Sequence, residues 1–147
     1  MDIFVDADAF ANVLKDILLR FVLKRVITTK FVANKKIALP SVEFISMHIA
    51  PQGVDEADNF IAATCKAGDL VITADIPLAD RIVNKGAIGL DPRGTLYTQE
   101  NIKSILAMRN LMQELRDGGE ITGGPKAIGE KEKRAFANAL NALLQKL

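Results

Sequence analysis

The chain contains one cysteine, Cys65, and one histidine, His48. A single cysteine excludes an internal disulfide and a thiolate-built zinc site. A single histidine argues against an imidazole-held metal and leaves little room for a Ser-His-Asp triad. An excess of charge is also missing. Nineteen basic against 18 acidic residues give a formal net charge of +1, so any basic patch must be local. No apolar run approaches the ~20 residues of a membrane-spanning helix. The opening MDIFVDAD lacks the basic region and long apolar stretch of a secretory signal. These absences point to a cytoplasmic protein with no membrane partner, and they leave carboxylates as the chemistry to look for. The 147 residues, 49% hydrophobic and 25% charged, suit one compact domain able to fill a core.

Apolar periodicity divides the chain into alternating strands and helices. Ile3 to Val5 is a brief apolar run that ends in Asp6. Val13, Leu14, Ile17, Leu18 and Phe21 recur at helical spacing. The stretch from Val26 to Ala33 is rich in β-branched residues and predicts a second strand, and Phe44 to Ala50 a third, stopped by Pro51-Gln52-Gly53. A helix through Ala57, Phe60, Ile61 and Thr64 ends near Gly68, and Leu70 to Thr73 is the next strand. Asp75-Ile76-Pro77 opens another helix, since Asp caps well and Pro is tolerated in the first turn. Gly86 closes it, and Ala87 to Leu90 is expected as the last strand, followed by the turn Asp91-Pro92-Arg93-Gly94. Thr98 is expected to cap a long helix whose apolar face is Ile102, Ile105, Leu106, Leu111, Met112 and Leu115. Gly118 to Gly124 is a break, and a final helix from about Glu130 turns Phe136, Leu140, Leu143 and Leu144 inward. The alternation predicts an α/β fold with a mostly parallel sheet and a helical C-terminal extension.

Against this frame the acidic residues are unevenly placed. Asp6 follows a buried strand directly, where a charge is costly unless paired or bound to metal. Asp75 follows the strand Leu70 to Thr73 and can combine capping with a free oxygen. Asp8 lies two residues beyond Asp6, as a second carboxylate on the same face or as the cap of the next helix. Asp58 sits in a helix first turn, where any acid is favourable with the macrodipole. Asp55, Glu56, Asp80 and Asp91 are further acidic candidates. In a parallel sheet the strand carboxyl ends share one edge, and ligands bind in the crevice there. Hard oxygen ligands gathered at such an edge suit Mg²⁺ or Mn²⁺ and point to phosphate-ester chemistry.

Other features are weaker. The glycines at 118, 119, 123 and 124 lack the Lys-Ser/Thr ending of a nucleotide loop and read as a hinge or turn. His48 alternates with apolar neighbours and Cys65 lies on a helix, both consistent with packing roles. Lys35, Lys36, Arg93, Lys103, Arg109, Lys126, Lys131, Lys133 and Arg134 are candidates for phosphate contacts, against a solvated surface as the plainer reading.

The segments MDIFVDADA, VDEADNFIA, GDLVITADIPLAD, LDPRGTLYTQENI and TGGP together resemble the YaiI/YqxD family of uncharacterised bacterial proteins along nearly the whole chain. That family is similar to PIN-like domains, and the resemblance implies a single three-layer PIN-like domain over residues 1–147. PIN-like domains resemble nucleases that cut RNA with acidic residues and Mg²⁺ or Mn²⁺. The resemblance places the acid that ends the first strand at Asp6. It places the acid that opens a central helix at Asp58, within Ala57-Asp58 and Ile61. It places the acid two residues past a strand threonine at Asp75, after Thr73, with Asp80 as a further acid. The chain departs from the family where Asp-Ala-Asp-Ala is usually followed by Cys-Pro, because Phe10 and Ala11 stand there instead.

The leading expectation is therefore a metal-dependent RNA nuclease. Asp6, Asp58 and Asp75 would hold the metal, Asp80 would be a further ligand, and Asp8 a ligand or water-orienting base. Asn12, Thr73 and Arg93 would contact phosphate or water. A second enzyme reading is an aspartyl phosphatase of haloacid-dehalogenase type, with Asp6 as nucleophile and Asp8 as acid/base. No convincing lysine and late acidic pair follows to complete it. A non-enzyme reading is an RNA- or protein-binding module that keeps the fold without the reaction. A homo-oligomer is a further expectation.

Overall fold

A computed structural model describes residues 1–8, 10–53, 55–120 and 127–146. Gly123, Gly124 and Lys126 of the sequence reading, and with them the TGGP segment, lie outside the described residues. The elements in chain order are β1 (Ile3–Asp6), α1 (Asn12–Arg25), β2 (Thr29–Ala33), β3 (Ile45–Ile49), α2 (Glu56–Thr64), β4 (Leu70–Ile72), α3 (Ile76–Asn84), β5 (Ile88–Leu90), β6 (Leu96–Tyr97), α4 (Ile102–Asp117) and α5 (Glu130–Leu144). The six strands form one sheet in the order β3-β2-β1-β4-β5-β6, parallel except for β6.

Alternation along β1 shows how the layers are built. Ile3 and Val5 face a core shared with Leu14 and Leu18 of α1 and with Phe136 and Leu140 of α5. Phe4 faces the opposite way, into a core with Ile61 of α2, Ile82 of α3 and Ile102 of α4. Both faces of β1 are thus covered, as a parallel sheet with crossover helices requires. The helical C-terminal segment is part of this packing, since Phe136 and Leu140 are fully buried.

Four sequence expectations are corrected. The second strand begins at Thr29, not Val26, because α1 runs on to Arg25 and Val26 takes the left-handed turn that ends it, at φ 55°. Its β-branched side chain, 66% exposed, is spent on the connection rather than on the sheet. The strand at Ile88–Leu90 is not the last. The turn after it brings back the two-residue antiparallel β6, which is too short to show periodicity. The apolar face of α4 is only partly buried: Ile102 is buried, Ile105 packs half-buried on the same core, and Leu106 and Leu115 are half-buried, but Leu111 and Met112 are 48% and 39% exposed. The expected Thr98 cap is not formed either, because α4 starts at Ile102 with Asn101 as its N-cap, and Thr98 instead exchanges bonds with Asn101 across the preceding turn. The Thr98 hydroxyl accepts from the Asn101 N–H at 3.3 Å, and Asn101 Oδ1 accepts from the Thr98 N–H at 2.9 Å.

Candidate functional site

The strand order reverses between β1 and β4. Crossovers lead from β1 outward to β2 and β3 on one side, and from β4 to β5 on the other. At such a switch point the loops leaving the two central strands separate and open a crevice at their carboxyl ends. Asp6 is the last residue of β1, and Thr73 directly follows β4. The sequence therefore delivers a carboxylate and a hydroxyl to the two walls of that crevice.

Thr73 ties the walls together. Its hydroxyl donates to Asp6 Oδ2 at 2.8 Å and accepts from the Asp75 N–H at 2.9 Å. The side chain is buried, at 1% exposure. Its single proton is committed to Asp6, so Thr73 positions the acids. Asp75 caps α3 as the sequence indicates, with Oδ1 accepting from the Leu78 N–H at 3.0 Å. Changing Thr73 to valine removes the brace and leaves a buried N–H without its partner, so we expect a loss of about 1–3 kcal/mol of stability. Urea denaturation checks this against Thr73→Ser, which keeps the hydroxyl and should stay close to the parent.

The third acid arrives from α2. Asp55 precedes the helix in a left-handed conformation, φ 63°, and Asp58 lies in its first turn. Asp58 is hydrogen-bonded to Asp75, and its carboxyl is pushed up to about 7. Burial is the main cause, followed by that hydrogen bond and then the negative charges of Asp75, Asp6 and Asp55. Asp6 is raised above the usual carboxylate range too, chiefly by burial. The Thr73 hydrogen bond opposes the rise, and the charges of Asp75 and Asp8 add to it. Asp6, Asp58 and Asp75 thus converge, and near neutral pH the crowded set retains a proton. Among the described residues, however, no three His, Cys, Asp or Glu side chains stand as a ready-made ion-binding set.

This crowding gives a pH dependence in metal-free buffer. The folded chain keeps the Asp58 proton up to about pH 7, whereas an unfolded aspartate releases it near pH ~3.9. Between those values the folded state binds more protons, so stability falls as pH rises. It is highest below about pH 4 as far as this group is concerned, and the loss is complete above about 7. Asp58→Asn should flatten the decline between pH 5 and pH 8 in chelator, read as urea midpoints. Parallel profiles for parent and variant would contradict the assignment.

Of the remaining predicted residues, Asp8 lies near enough to Asp6 to act on its charge, while Asp80 and Arg93 are engaged elsewhere. Asp8 is exposed and does not cap α1, whose N-cap is Ala11 without a side-chain bond. Instead Asp8 Oδ1 accepts from the Asn34 N–H at 2.8 Å, fastening the loop after β1 to the end of β2. Asp80 is engaged by Lys103 of α4 at 2.8 Å, an ion pair that holds α4 against α3. Asn12, exposed at the start of α1, lines a small cavity with Asp8, Lys15 and Lys35. Arg93 lies in the turn between β5 and β6, where its N–H donates to Asp91 Oδ2 at 2.6 Å. Asp91 also accepts from the buried Tyr97 hydroxyl at 3.0 Å, and burial together with that carboxylate raises the phenol. His48 and Cys65 keep structural roles: the His48 ring stacks on Phe60 at 3.7 Å, and Cys65 is buried.

Sequence reasoning missed one feature of the site. A cavity of about 520 Å³ beside Asp55, Asp58 and Asp75 is also lined by Arg81 of α3 and Arg109 of α4. Arg81 Nη1 donates to Asn59 Oδ1 at 2.9 Å, which holds it on the α2 side of the crevice. Arg109 was one of many surface cations in the sequence, and Arg81 carried no local signal. Only the packing of α2, α3 and α4 brings both beside the acids.

Fold and site define an α/β protein with a switch-point crevice built of carboxylates. The chain belongs to the uncharacterised bacterial YaiI/YqxD family, whose model matches residues 4–146. It is 54% identical over 146 residues to a UPF0178 protein of Sulfurovum sp. (strain NBC37-1), covering 99% of each chain. It is 52% identical over 144 residues to a UPF0178 protein of Maridesulfovibrio salexigens, covering 98% of this chain and 95% of the relative. No solved structure matches it significantly. Among the described residues no helix is long and apolar enough to cross a membrane.

Proposed function

We propose that this protein is a PIN-like, Mg²⁺- or Mn²⁺-dependent nuclease acting on RNA. The observation that carries the reading is the meeting of Asp6, Asp58 and Asp75 at the β1/β4 switch point, with a carboxyl held protonated up to about pH 7. A set of hard oxygen donors crowded enough to retain a proton fits a small divalent cation that takes the proton's place. Asp6, Asp58 and Asp75 would hold the ion, with Thr73 bracing two of them. A bound divalent ion would supply charge neutralisation at phosphate and a water of lowered pKa.

The chain's own residues supply the rest. Arg81 and Arg109 present guanidinium groups to the same cavity, suited to orienting a phosphodiester. Asp8, held by Asn34, and Asp80, held by Lys103, stand aside from ion binding. Phe10, where the resemblance to the YaiI/YqxD family implies a cysteine, packs edge-to-face on Phe136 at 5.9 Å. It serves the core, so the missing thiol leaves the carboxylate set intact. The aspartyl-phosphatase reading is disfavoured, because no convincing lysine and late acidic pair follows in the sequence to complete it. The test is a time course of end-labelled RNA with Mg²⁺ or Mn²⁺, beside Asp6→Asn and a chelator control. Metal-dependent cleavage lost in Asp6→Asn supports the nuclease. Binding without turnover at any metal concentration points to the non-catalytic RNA-binding module instead.

A further inference from the structure

A positive patch lies away from the carboxylates. A groove of about 500 Å³ runs between α1 and α5, rimmed by Arg20, Lys24, Arg25, Lys133 and Arg134, with Glu130 as its one carboxylate. Five of the chain's 19 cations thus meet in one groove of a protein whose net charge is +1. Glu130 is already paired with Lys133 at 2.6 Å, and Arg25 reaches the Leu144 carbonyl at 3.3 Å. Among the described residues no ion pair occupies Arg20 or Lys24, and Arg134 lies within electrostatic reach of Glu130 without a direct salt bridge. The walls between the cations are apolar, with Ile17 and the half-buried ring of Phe21.

We infer that this groove binds a single-stranded RNA segment, its phosphates held by the cationic rims and a base stacked on Phe21. The rims answer a polyanion. An aromatic surface set between them is what a strand with unstacked bases can use and a duplex cannot. A membrane surface fits poorly, because the apolar surface lies inside a concavity between two helices. The inference deepens the nuclease reading and rests on it for the strand being RNA. It makes the groove a holding site outside the reacting crevice.

The test uses full-length Asp6→Asn protein in chelator, so that cleavage is absent and binding alone is read. Anisotropy of a fluorescein-labelled oligouridine twelve-mer should show Arg20→Ala with Arg134→Ala binding ~10-fold more weakly, with a salt slope shallower by about 1.4 for two lost phosphate contacts. Phe21→Leu, which keeps the packing, should weaken oligouridine but leave inorganic polyphosphate binding unchanged. Unchanged oligouridine affinity in the arginine variant would overturn the proposal, whether or not the carboxylates prove catalytic. So would no binding by the parent, or a loss confined to polyglutamate or to anionic phosphatidylglycerol vesicles. If the carboxylates bind no metal while the groove variants still lose oligouridine, the nuclease reading fails and the groove stands.

Discussion

On the proposed nuclease reading, Asp75→Asn should abolish both the metal-dependent RNA cleavage and the thermal stabilisation by Mn²⁺ expected of the parent. Asparagine keeps an oxygen able to accept from the Leu78 N–H, so the α3 cap survives and the fold with it. What is lost is one negative charge from a three-aspartate set. Partners that merely support a metal ligand cost about 10–100-fold when removed, so loss of a ligand itself should exceed about 100-fold in activity. In the parent, a cation at 100 times its dissociation constant adds about 2.7 kcal/mol. For a chain of this size that is a rise of roughly 5–10 °C. The variant should show none of it while melting close to the metal-free parent. An equal Mn²⁺ response in the two proteins would place the ion elsewhere.

Phe136→Ala should cost about 3–5 kcal/mol, the usual penalty for emptying a buried aromatic site. Phe136 is fully buried, belongs to the core beneath Ile3 and Val5, and meets the Phe10 ring. With a total stability of about 5–15 kcal/mol to draw on, such a loss leaves the chain marginal or unfolded at ordinary temperature. Leu111→Ala on α4 is the matched control. It removes a comparable apolar side chain that is 48% exposed, and should shift stability by no more than about 0.5 kcal/mol. Chemical denaturation of both variants would check the contrast. Equal losses would mean that α4 is covered in solution and that its face is not free.

The parts of the fold visible in the sequence were those set by long periodic signals. The helix through Leu14 and Leu18, the helix opened by Asp75 and Pro77, and the last helix through Phe136 all form where their apolar spacing places them. The signals that misled were local preferences overruled by connection geometry. Val26 has strand propensity, but the chain needs a left-handed residue there to leave α1. Leu111 and Met112 have core chemistry, but α4 buries Ile102 and packs Ile105 on the core while these two stay exposed.

The site divides in the same way. Asp6 and Asp75 were legible because strand ends in a parallel sheet share an edge, and one residue of context fixes that placement. Asp58 needed the family resemblance, since a first-turn acid is ordinary on any helix. Asp8 was ambiguous between cap and site, and it is not the cap: its Oδ1 accepts from the Asn34 amide past the end of β2, while its charge still acts on Asp6. Arg81 was invisible, because what makes it part of the site is the packing of α3 beside α2, a tertiary fact with no mark in the local sequence.

Anomalous scattering from crystals soaked in Mn²⁺ tests the central claim most directly, since it locates the ion before any substrate is known. The account predicts a peak in the crevice between β1 and β4, within bonding distance of carboxylate oxygens of Asp6, Asp58 and Asp75, and no such peak in Asp75→Asn crystals. A peak elsewhere on the molecule, or an empty crevice at saturating Mn²⁺ above pH 7, would contradict it.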